Sequence, residues 1–327
     1  MGGKMNKIGI LTSGGDSPGM NAAIRASVRT ALYHGIEIYG VRRGYQGMIE
    51  GDLFKIQTTD VANIIQRGGT ILKTARSKEF MTEEGMQKAY MQLQKHGIEG
   101  LILIGGDGTF RGAVEFFKKY VIPAVGIPCT IDKDLAGTDF TIGFDTAVNT
   151  AVWAIDKIRD TAEAHDRLFL VEVMGRDAGH IAMHSGISCG AEDILIPEQE
   201  TDIKAVLDRI DRDERRKKTV HILVVAEGGN FGGVKEFYPY VKERFPLLDI
   251  RTTVLGHIQR GGPPSASDRV LASRLGHAAI EALISERTQI MVGIVNDEIM
   301  YTPFEGAVKQ RTCINKNMLE MIRVLSS

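Results

Sequence analysis

Short apolar runs rich in β-branched residues alternate with amphipathic stretches along most of the chain. The runs at 7–11, 98–104 and 220–226 each lead into a glycine-rich turn. After such turns, apolar residues recur every three or four positions, which is typical of a helix that buries one face. Strands that alternate with helices form parallel sheets that are covered on both faces. The pattern therefore predicts an α/β fold.

The same pattern gives approximate bounds for the elements. In open sheets of this kind, ligands bind at the carboxyl ends of strands, so the turns that follow the strands are where chemistry is expected. Strands are predicted at 7–11, 36–42, 98–104, 121–127, 168–173, 193–196, 220–226 and 250–255. Helices are predicted at 20–34, 83–96, 145–164, 178–187, 201–216 and 265–285.

Length and charge narrow the classes of protein. At 327 residues the chain has room for two domains of average size. Lysine plus arginine number 40 and aspartate plus glutamate 41, so the formal net charge is −1. That balance argues against a protein that binds nucleic acid or an anionic membrane through bulk charge. Small anions can still bind at local clusters of charge.

Cysteine usage and the lack of long apolar runs bear on where the protein works. Cys129, Cys189 and Cys313 lie far apart and form no CxxC pair, which argues against a disulfide framework and a structural zinc site. No apolar run approaches the ~18 residues that span a membrane. The start of the sequence has no apolar signal-peptide core. We therefore expect a cytoplasmic protein without a membrane or nucleic-acid partner.

Two glycine-rich turns follow strands in the first half of the chain. Residues 12–16 (TSGGD) follow the first strand, and residues 105–109 (GGDGT) follow the most apolar one. Glycines leave room for a phosphate beside the backbone, and the N-terminus of the next helix favours an anion. Asp107 is suited to hold Mg²⁺, which bridges phosphate oxygens. From the residues alone, a tight turn that needs glycine is an equally good interpretation of residues 12–16. For Asp107 a helix N-cap is the alternative, but the position and the residue types favour the functional interpretation.

A third turn, residues 128–134 (PCTIDKD), sets two carboxylates around a lysine. A carboxylate at a strand end can accept the proton of a substrate hydroxyl that attacks a phosphoryl group. An Asx-type turn is the alternative, and the residues by themselves slightly favour it.

Polar and cationic groups follow three strands of the second half. Arg251, His257 and Arg260 form a dense cationic set that is suited to a phosphate monoester. A single arginine is more often a solvated surface residue, but three turns repeat the same placement. The turns are 174–179 (MGRDAG), 227–229 (EGG) and 256–262 (GHIQRGG).

Signatures of several other enzyme classes do not occur in the sequence. GxxxxGK[ST] and HExxH are missing, so a Walker A nucleotidase and a zincin have no support. No clear GxGxxG with an acidic residue about 20 positions on is present, which argues against a nicotinamide-dependent oxidoreductase.

Five motifs, LTSGGD, GGDGT, TID, EVMGRDAG and LGHIQRGG, resemble in this order the bacterial type of 6-phosphofructokinase. The resemblance runs from Ile8 to about Asn296. GGDGT alone also resembles NAD kinases and diacylglycerol kinases, but the full set is highly specific. The resemblance implies a glycolytic phosphotransferase with an alcohol acceptor, which moves the γ-phosphoryl group of ATP to the 1-hydroxyl of fructose 6-phosphate with Mg²⁺ as cofactor.

The resemblance also implies a domain organisation. Two doubly wound, Rossmann-like domains of three layers are expected, with mainly parallel sheets. An ATP-binding domain would comprise residues 1–143 and 257–306, and a domain for fructose 6-phosphate would comprise 144–256 and 307–327.

Roles for individual residues follow from the matching motifs. Asp132 would be the general base, Thr130 would support the phosphoryl group, and Asp134 would help set the site, with Arg76 and Arg176 completing the catalytic set. ATP would contact Gly15, Arg76, Ser77, Gly106, Asp107, Gly108 and Thr109, with Asp107 at Mg²⁺. The sugar phosphate would contact Thr130, Ile131, Asp132, Arg167, Met174, Gly175, Arg176, Glu227, Arg251, His257, Ile258, Gln259 and Arg260.

The family shares sites between subunits. Arg167 and Arg251 would reach in from a neighbour, which implies a homotetramer. A regulatory cleft for ADP or phosphoenolpyruvate is implied as well, although Thr58 stands where the family has a further arginine. The matching effector residues are Arg25, Arg29, Arg159, Glu192, Arg216 and Lys218.

Three positions bear on the phosphoryl donor and the rate. Pyrophosphate-dependent relatives typically have aspartate at the position of Gly108, so this glycine favours ATP. Cys129 and Lys133 replace a glycine and an asparagine of the family pattern, and we expect Cys129 to be a buried, inert thiol. A cation beside Asp132 lowers the pKa of that carboxyl and weakens it as a proton acceptor, unless the lysine points away. Replacing Lys133 by asparagine is then expected to raise turnover.

Two rival functions stay open at this point. One is a pyrophosphate-dependent phosphofructokinase. The other is a weakly active or non-catalytic sensor of phosphosugars on the same fold, which Lys133 keeps in play.

Overall fold

The computed structural model describes residues 5–164, 167–215, 221–229, 232–308 and 316–325. The chain divides into two compact units, each built from two segments. Unit 1 comprises Met1–Thr146 and Arg260–Gln310, and unit 2 comprises Ala147–Gln259 and Arg311–Ser327. The assignment of ATP to one domain and of the sugar to the other, with the domain bounds given above, stays a prediction.

Strands and helices alternate through both units. The strands are β1 (Lys7–Thr12), β2 (Glu37–Val41), β3 (Leu53–Lys55), β4 (Gly100–Gly105), β5 (Ala124–Pro128), β6 (Leu168–Val173), β7 (Asp193–Leu195), β8 (His221–Ala226), β9 (Ile250–Val254), β10 (Ile290–Val295) and β11 (Glu298–Pro303). The helices are α1 (Met20–Tyr33), α2 (Gly44–Glu50), α3 (Glu83–Lys95), α4 (Asp107–Phe117), α5 (Phe144–Glu163), α6 (His180–Ser188), α7 (Ile203–Arg215), α8 (Val234–Arg244), α9 (Ala266–Ile284), α10 (Phe304–Ala307) and α11 (Lys316–Leu325). Short 3₁₀ turns occupy Glu79–Met81 and Gly256–Arg260.

Unit 1 is built on a sheet with the strand order β11-β10-β5-β4-β1-β2-β3. The inner strands pair in parallel, with Ile10 opposite Ile102 and Ile104 opposite Ile127. The two outermost strands, β3 and β11, run antiparallel to their neighbours. The chain leaves β1 on one side toward β2 and later fills the other side with β4. Strand order therefore reverses between β1 and β4, where open α/β sheets bind their ligands.

Alternate side chains of the inner strands pack into two apolar layers, one on each face of the sheet. Ile102 and Ile104 pack with residues of α1 and α9, such as Ile24. Leu101 and Leu103 pack on the opposite face with a second cluster that includes Phe110 of α4. A buried strand between two helical layers explains why residues 98–104 read as an almost continuous apolar run.

Unit 2 has a parallel sheet with the order β7-β8-β6-β9. Leu170 and Val225 of the sheet pack against Val206 of α7 and Phe237 of α8. Both sheets with their covering helices confirm the predicted α/β class.

A buried carboxylate holds the start of α5. Asp268, in the first turn of α9, accepts hydrogen bonds from the backbone N–H groups of Gly143 and Thr146, each at 2.8 Å, and from the hydroxyl of Thr146. Ser265 caps α9 and donates in turn to the carboxylate of Asp145 in α5. Asp268 thus satisfies two backbone donors at the start of α5, and the hydroxyl oxygen of Thr146 accepts from the N–H of Ser265 at 2.9 Å.

Several elements were not predicted. The edge strands β3 and β11, the strand β10 beside β11, and the helices α2, α8, α10 and α11 are additional, while the predicted strand at 121–127 begins only at Ala124, after Pro123. Edge strands carry a weak pattern because one side faces solvent, as the alternating exposure of β11 shows. Among the described residues, no helix combines the length and the apolar character that crossing a bilayer requires.

Candidate active site

Three loops of unit 1 stand side by side at the carboxyl edge of its sheet. We call them the first glycine loop (residues 12–16), the second glycine loop (105–109) and the acidic loop (129–143). The N–H of Ser13 donates to the carbonyl of Ile104 at 3.0 Å, and the hydroxyl of Thr109 donates to the carbonyl of Ser13 at 3.1 Å. The N–H of Cys129 donates to the carbonyl of Gly105 at 2.9 Å. The strand reversal thus assembles the predicted nucleotide and acid–base motifs.

Packing requires most glycines of these loops, but not Gly108. A Cβ on Gly105 would lie 2.2 Å from the hydroxyl oxygen of Thr109, and Gly14 has a φ of +86°. A Cβ on Gly108 would meet no atom within 4 Å, and the residue is not among those with positive φ. Neither the backbone nor the neighbours therefore explain a glycine there, and the space beside it is open to a ligand.

Asp107 opens helix α4 and is the candidate magnesium ligand. Its side chain is 18% exposed, and one of its oxygens accepts a hydrogen bond from Nε of Arg111 at 2.8 Å. Proteins typically bind Mg²⁺ through one or two carboxylates, with substrate phosphates and waters supplying the other ligands. A single carboxylate beside an open glycine fits that donor set. Within the described ranges, no group of three or more histidine, cysteine, aspartate or glutamate residues is arranged to hold a metal.

The segment that carries Arg76 and Ser77 is tied to the first glycine loop. The hydroxyl of Thr74 donates to the carbonyl of Gly14 at 2.7 Å, and that of Thr12 donates to the carbonyl of Lys73 at 2.9 Å. These bonds set the exposed Arg76 beside the first glycine loop. The predicted nucleotide residues of unit 1 are thereby brought together.

Tyr45 supports the same region and was not foreseen from the sequence. Its hydroxyl donates to the carbonyl of Thr109 at 2.7 Å, and its ring stacks on Phe80 with 3.9 Å between centroids. The N–H of Phe80 in turn donates to the hydroxyl of Ser77 at 3.1 Å. Burial raises the pKa of the Tyr45 phenol, so this tyrosine stays a hydrogen-bond donor at neutral pH. It connects the second glycine loop to the Arg76 segment.

Two carboxylates of the acidic loop are buried. Asp132 is 3% and Asp134 4% exposed. The N–H of Asp132 donates to the hydroxyl oxygen of Thr130 at 3.1 Å, and the hydroxyl of Thr141 donates to the carbonyl of Thr130 at 2.8 Å. Thr130 makes the local turn through its own hydroxyl. Ile131, between them, is fully buried.

Cys129 is buried as expected. It is 1% exposed, and its sulfur lies 3.0 Å from the hydroxyl oxygen of Ser17, which donates to the carbonyl of Ile142 at 3.1 Å. Burial raises the pKa of the thiol to about 12. The predicted burial of this thiol is confirmed, and its inertness stays a prediction.

Lys133 differs from the simplest expectation. Its ammonium lies over the rings of Phe140 and Phe144, 5.6 and 5.1 Å from their centroids. Burial lowers the pKa of this lysine, and the charge of Asp139 opposes that shift. Asp139 is thus a carboxylate whose charge acts on this ammonium. The expected effect of Lys133 on the acidity of Asp132 stays a prediction.

Arg260 lies on the first glycine loop rather than apart from it. Its Nη1 donates to the carbonyl of Asp16 at 3.1 Å, and a Cβ on Gly15 would lie only 2.8 Å from the same nitrogen. A side chain at position 15 would therefore have to displace this guanidinium. Sequence reasoning assigned these two residues to different ligands, and the fold sets them in contact.

In unit 2, Glu227 organises the turn after β6. Its Oε1 accepts hydrogen bonds from the N–H groups of Gly175 and Arg176, at 3.2 and 2.8 Å. Arg176 has a φ of +53°, a left-handed conformation that a side chain adopts only when its surroundings require it. Met174 is buried at 7% exposure. The predicted sugar residues 174–176 and Glu227 are therefore neighbours.

Two further predicted arginines of unit 2 converge on one carboxylate. Nε of Arg167 lies 2.7 Å from Asp249, and Nε of Arg251 lies 3.0 Å from it. Hydrogen bonding to Arg167 lowers the pKa of Asp249, which keeps this exposed carboxylate ionised. The structure thus brings the two arginines together, and Asp249 was missed because nothing in its sequence context marks it.

The remaining predicted residues of the 256–260 turn differ in exposure. His257 and Ile258 are exposed, whereas Gln259 is fully buried and its amide donates to the carbonyl of Gly256 at 3.1 Å. The side chain of Gln259 therefore shapes the turn.

Two of the predicted effector residues, Arg159 and Glu192, have hydrogen-bond partners within the chain. Arg25 and Arg29 lie one turn apart on α1. Arg159 donates to the carbonyls of Cys189 and Gly190, at 2.6 and 3.2 Å, at the end of α6. Glu192 is 8% exposed and accepts a hydrogen bond from the N–H of Ile222 at 2.6 Å. Arg216 and Lys218 lie outside the described residues.

Comparison with known sequences gives a consistent set of relatives. A family model described as phosphofructokinase matches residues 7–283. The ATP-dependent 6-phosphofructokinase 1 of Thermus thermophilus is 56% identical over 322 residues, which make up 98% of this chain and 100% of that relative. The ATP-dependent 6-phosphofructokinase of Cytophaga hutchinsonii is 54% identical and covers 98% of both chains.

Solved structures share the fold. A phosphofructokinase chain from Saccharomyces cerevisiae matches with a TM-score of 0.86 at 33% identity over 98% of this chain. This chain spans 46% of that yeast chain. A pyrophosphate-dependent phosphofructokinase from Nitrosospira multiformis matches with a TM-score of 0.84 at 23% identity, over 98% of this chain and 91% of that one. The second likeness is one of fold alone.

Proposed function

The chain belongs to the phosphofructokinase family, and we propose that it is an ATP-dependent 6-phosphofructokinase. It transfers the γ-phosphoryl group of ATP to the 1-hydroxyl of fructose 6-phosphate and yields fructose 1,6-bisphosphate and ADP. The observation that carries the choice of donor is Gly108, whose Cβ position is open although no backbone or packing constraint requires glycine. An aspartate there would fill the space that the phosphates of a nucleotide need. The names of the relatives at 54–56% identity support the same donor.

Asp132 is the proton acceptor in this proposal. A carboxylate at the end of β5 accepts the proton of the 1-hydroxyl as its oxygen attacks the γ-phosphorus, and the bond from that phosphorus to the bridging oxygen of ADP breaks. Thr130, whose hydroxyl orders the same turn, supports the phosphoryl group. Asp134, buried two residues further on, helps set the loop.

Cationic groups and backbone amides bind the phosphates and neutralise their charge. Phosphoryl transfer depends on positioning and on neutralising charge more than on covalent chemistry. Arg76, tied through Thr74 to the first glycine loop, neutralises charge on the transferring group. The second glycine loop contacts the nucleotide phosphates at the N-terminus of α4, where the helix dipole favours anions.

Asp107 would hold Mg²⁺, whose donor set fits one carboxylate with substrate phosphates. The ion would neutralise charge on the phosphate oxygens when bound. Arg111 neutralises the same carboxylate until then, so we expect the ion to compete with this guanidinium.

Residues of unit 2 and of the 256–262 turn are assigned to the sugar phosphate. Glu227 and residues 174–176 would contact the sugar, and Arg167, Arg251, His257 and Arg260 its phosphate. Two arginines on one exposed aspartate are suited to exchange that carboxylate for a phosphate. As in the family pattern, we propose a cytoplasmic homotetramer with ADP or phosphoenolpyruvate as effector.

A donor comparison tests the proposal. The purified protein is assayed with fructose 6-phosphate and Mg²⁺, with either ATP or pyrophosphate as donor. Product with ATP and none with pyrophosphate is expected. Activity with pyrophosphate alone would refute the role of Gly108, and binding without turnover from either donor would favour a sensor.

A matched pair of variants tests the general base. Asp132→Asn is expected to lower kcat by about 10²- to 10⁴-fold, the usual contribution of a positioned base, with little change in the KM for ATP. Glu115→Gln, which neutralises an exposed carboxylate of α4, is the control and should keep wild-type rates. Equal rates for both variants would remove Asp132 from this role.

A further inference from the structure

Lys133 adopts a strained backbone directly beside the proposed base. Its φ is +53°, in the left-handed region that glycine and asparagine visit most readily. A long side chain keeps such a conformation only where its surroundings determine it, and strain of this kind collects at functional sites.

The side chain of Lys133 reaches back across the acidic loop to two rings. Its ammonium lies 5.6 Å from the centroid of Phe140 and 5.1 Å from that of Phe144, both within the range of cation–π attraction. Phe144 is 7% exposed and starts α5, so this ring is fixed, whereas Phe140 is 52% exposed. Asp139 supplies the neighbouring negative charge.

These contacts complete a set of ties between the two arms of the acidic loop. The N–H of Ile142 donates to the carbonyl of Pro128 at 3.1 Å, and the hydroxyl of Thr141 donates to the carbonyl of Thr130 at 2.8 Å. Both bonds lie on the β5 side of Asp132. Lys133 adds a tie on the other side of Asp132, so the residue that carries the carboxylate is held from both directions.

We propose that Lys133 is a positioning residue for phosphoryl transfer: its ammonium, held between Phe140 and Phe144, closes the acidic loop and fixes the backbone that carries Asp132. The inference rests on the proposed function, because it gives Lys133 a role in that reaction. It assigns Lys133 no contact with substrate. The cation acts through the geometry of the loop.

The two roles of the lysine predict opposite results. If its charge weakens Asp132, removal of the charge raises kcat and moves the acidic limb of the pH profile to higher pH, because the pKa of the carboxyl rises. If Lys133 holds the loop, removal lowers kcat and leaves that limb in place. The carboxyl groups nearest in the chain, Asp132, Asp134 and Asp139, are unchanged in the variants below.

Lys133→Met and Lys133→Arg separate length from charge. Methionine keeps a flexible apolar chain on the rings but has no cation, and arginine keeps a cation that can lie over them. We expect kcat of Lys133→Met to fall about tenfold, which corresponds to about 1.4 kcal/mol. The KM values for ATP and fructose 6-phosphate should stay within about twofold. Lys133→Arg should restore most of the rate.

Lys7→Met is the matched control. The ammonium of Lys7 lies 5.1 Å from the ring centroid of Tyr39, the same distance as that from Lys133 to Phe144, but at the start of β1. The Lys7→Met variant should keep the wild-type kcat. Should Lys133→Met fail to fold, Phe140→Leu removes one ring at an exposed position and is expected to lower kcat about threefold.

The outcomes are distinct. A lower kcat with unchanged KM values, rescue by arginine and an unmoved pH profile supports the proposal. An unchanged rate in Lys133→Met, a loss that arginine does not restore, or a higher rate with a shifted acidic limb overturns it while leaving the proposed function intact. A wild-type protein without ATP-dependent turnover overturns both.

Discussion

Replacing Gly108 by alanine should stabilise the protein and impair it at the same time. Gly108 is the second residue of α4, has no positive φ, and offers an open Cβ position. Alanine at such a helical position reduces the entropy of the unfolded chain and stabilises by about 0.4–1 kcal/mol. For a unit of this size, that corresponds to a rise in Tm of about 1–4 °C.

The same methyl group occupies space that the account assigns to the phosphates of ATP. Overpacking a close contact costs about 1–3 kcal/mol, which corresponds to a rise of about 5- to 150-fold in the KM for ATP. The KM for fructose 6-phosphate should change much less, since that substrate is assigned elsewhere. Initial rates at varied ATP, together with thermal unfolding of the same preparation, measure both effects.

A control and a refuting result complete the test. Gly306→Ala places a methyl in α10 with its nearest neighbour, a Thr302 methyl group, at 3.4 Å, and it should leave both KM values unchanged. A stabilised Gly108→Ala variant with wild-type KM for ATP would refute the assignment of the open space to the nucleotide. A destabilised Gly108→Ala variant would contradict the ordinary helical backbone that the structure gives Gly108.

Three further predictions concern buried polar groups. Tyr45→Phe leaves the carbonyl of Thr109 without this donor and should lower the free energy of unfolding in urea by about 1–3 kcal/mol; an unchanged value would contradict the bond. Asp268→Ala removes three hydrogen bonds at the start of α5 and should lower it by about 3 kcal/mol in the same assay, whereas a loss below about 1 kcal/mol would show that the network contributes little. The pKa of the Cys129 thiol is raised from 9.0 to about 12 by burial, so its contribution to stability is present below pH 9 and lost as the pH rises toward 12. The stability of the wild type relative to Cys129→Ala should therefore fall by about 1.4 kcal/mol per pH unit in that window, and a constant difference would contradict the burial of the thiol.

The strand-end motifs could be read from the sequence because their chemistry is local. TSGGD and GGDGT each follow a buried strand whose apolar run is continuous. Parallel strands then bring the turns to one edge, which is why the first and second glycine loops are neighbours. No knowledge of distant contacts was needed for that step.

One missed element did carry a local signal. The hairpin of β10 and β11 turns at Asn296 and Asp297, which have φ values of +51° and +67°. An Asn-Asp pair between two apolar runs favours a two-residue turn with both residues left-handed. The hairpin was therefore within reach of sequence reasoning.

Other features depend on contacts that no local pattern encodes. Arg260 meets Gly15 across more than 240 positions, and Tyr45 meets Thr109 across 64. The direction in which the Lys133 side chain points depends on where the ring of Phe144 lies after the loop has folded. Because Lys133 follows Asp132 in the sequence, a direct effect of its charge on that carboxyl was expected. In the folded loop the ammonium of Lys133 lies over the rings of Phe140 and Phe144.

Transfer of labelled phosphate tests the central claim most directly. The wild-type protein is incubated with fructose 6-phosphate, Mg²⁺ and ATP labelled at the γ-phosphorus, and the products are separated and quantified. We expect label at the 1-position of fructose 1,6-bisphosphate and one ADP formed for each bisphosphate. Unlabelled sugar with ADP and free phosphate, or no consumption of ATP, would contradict it.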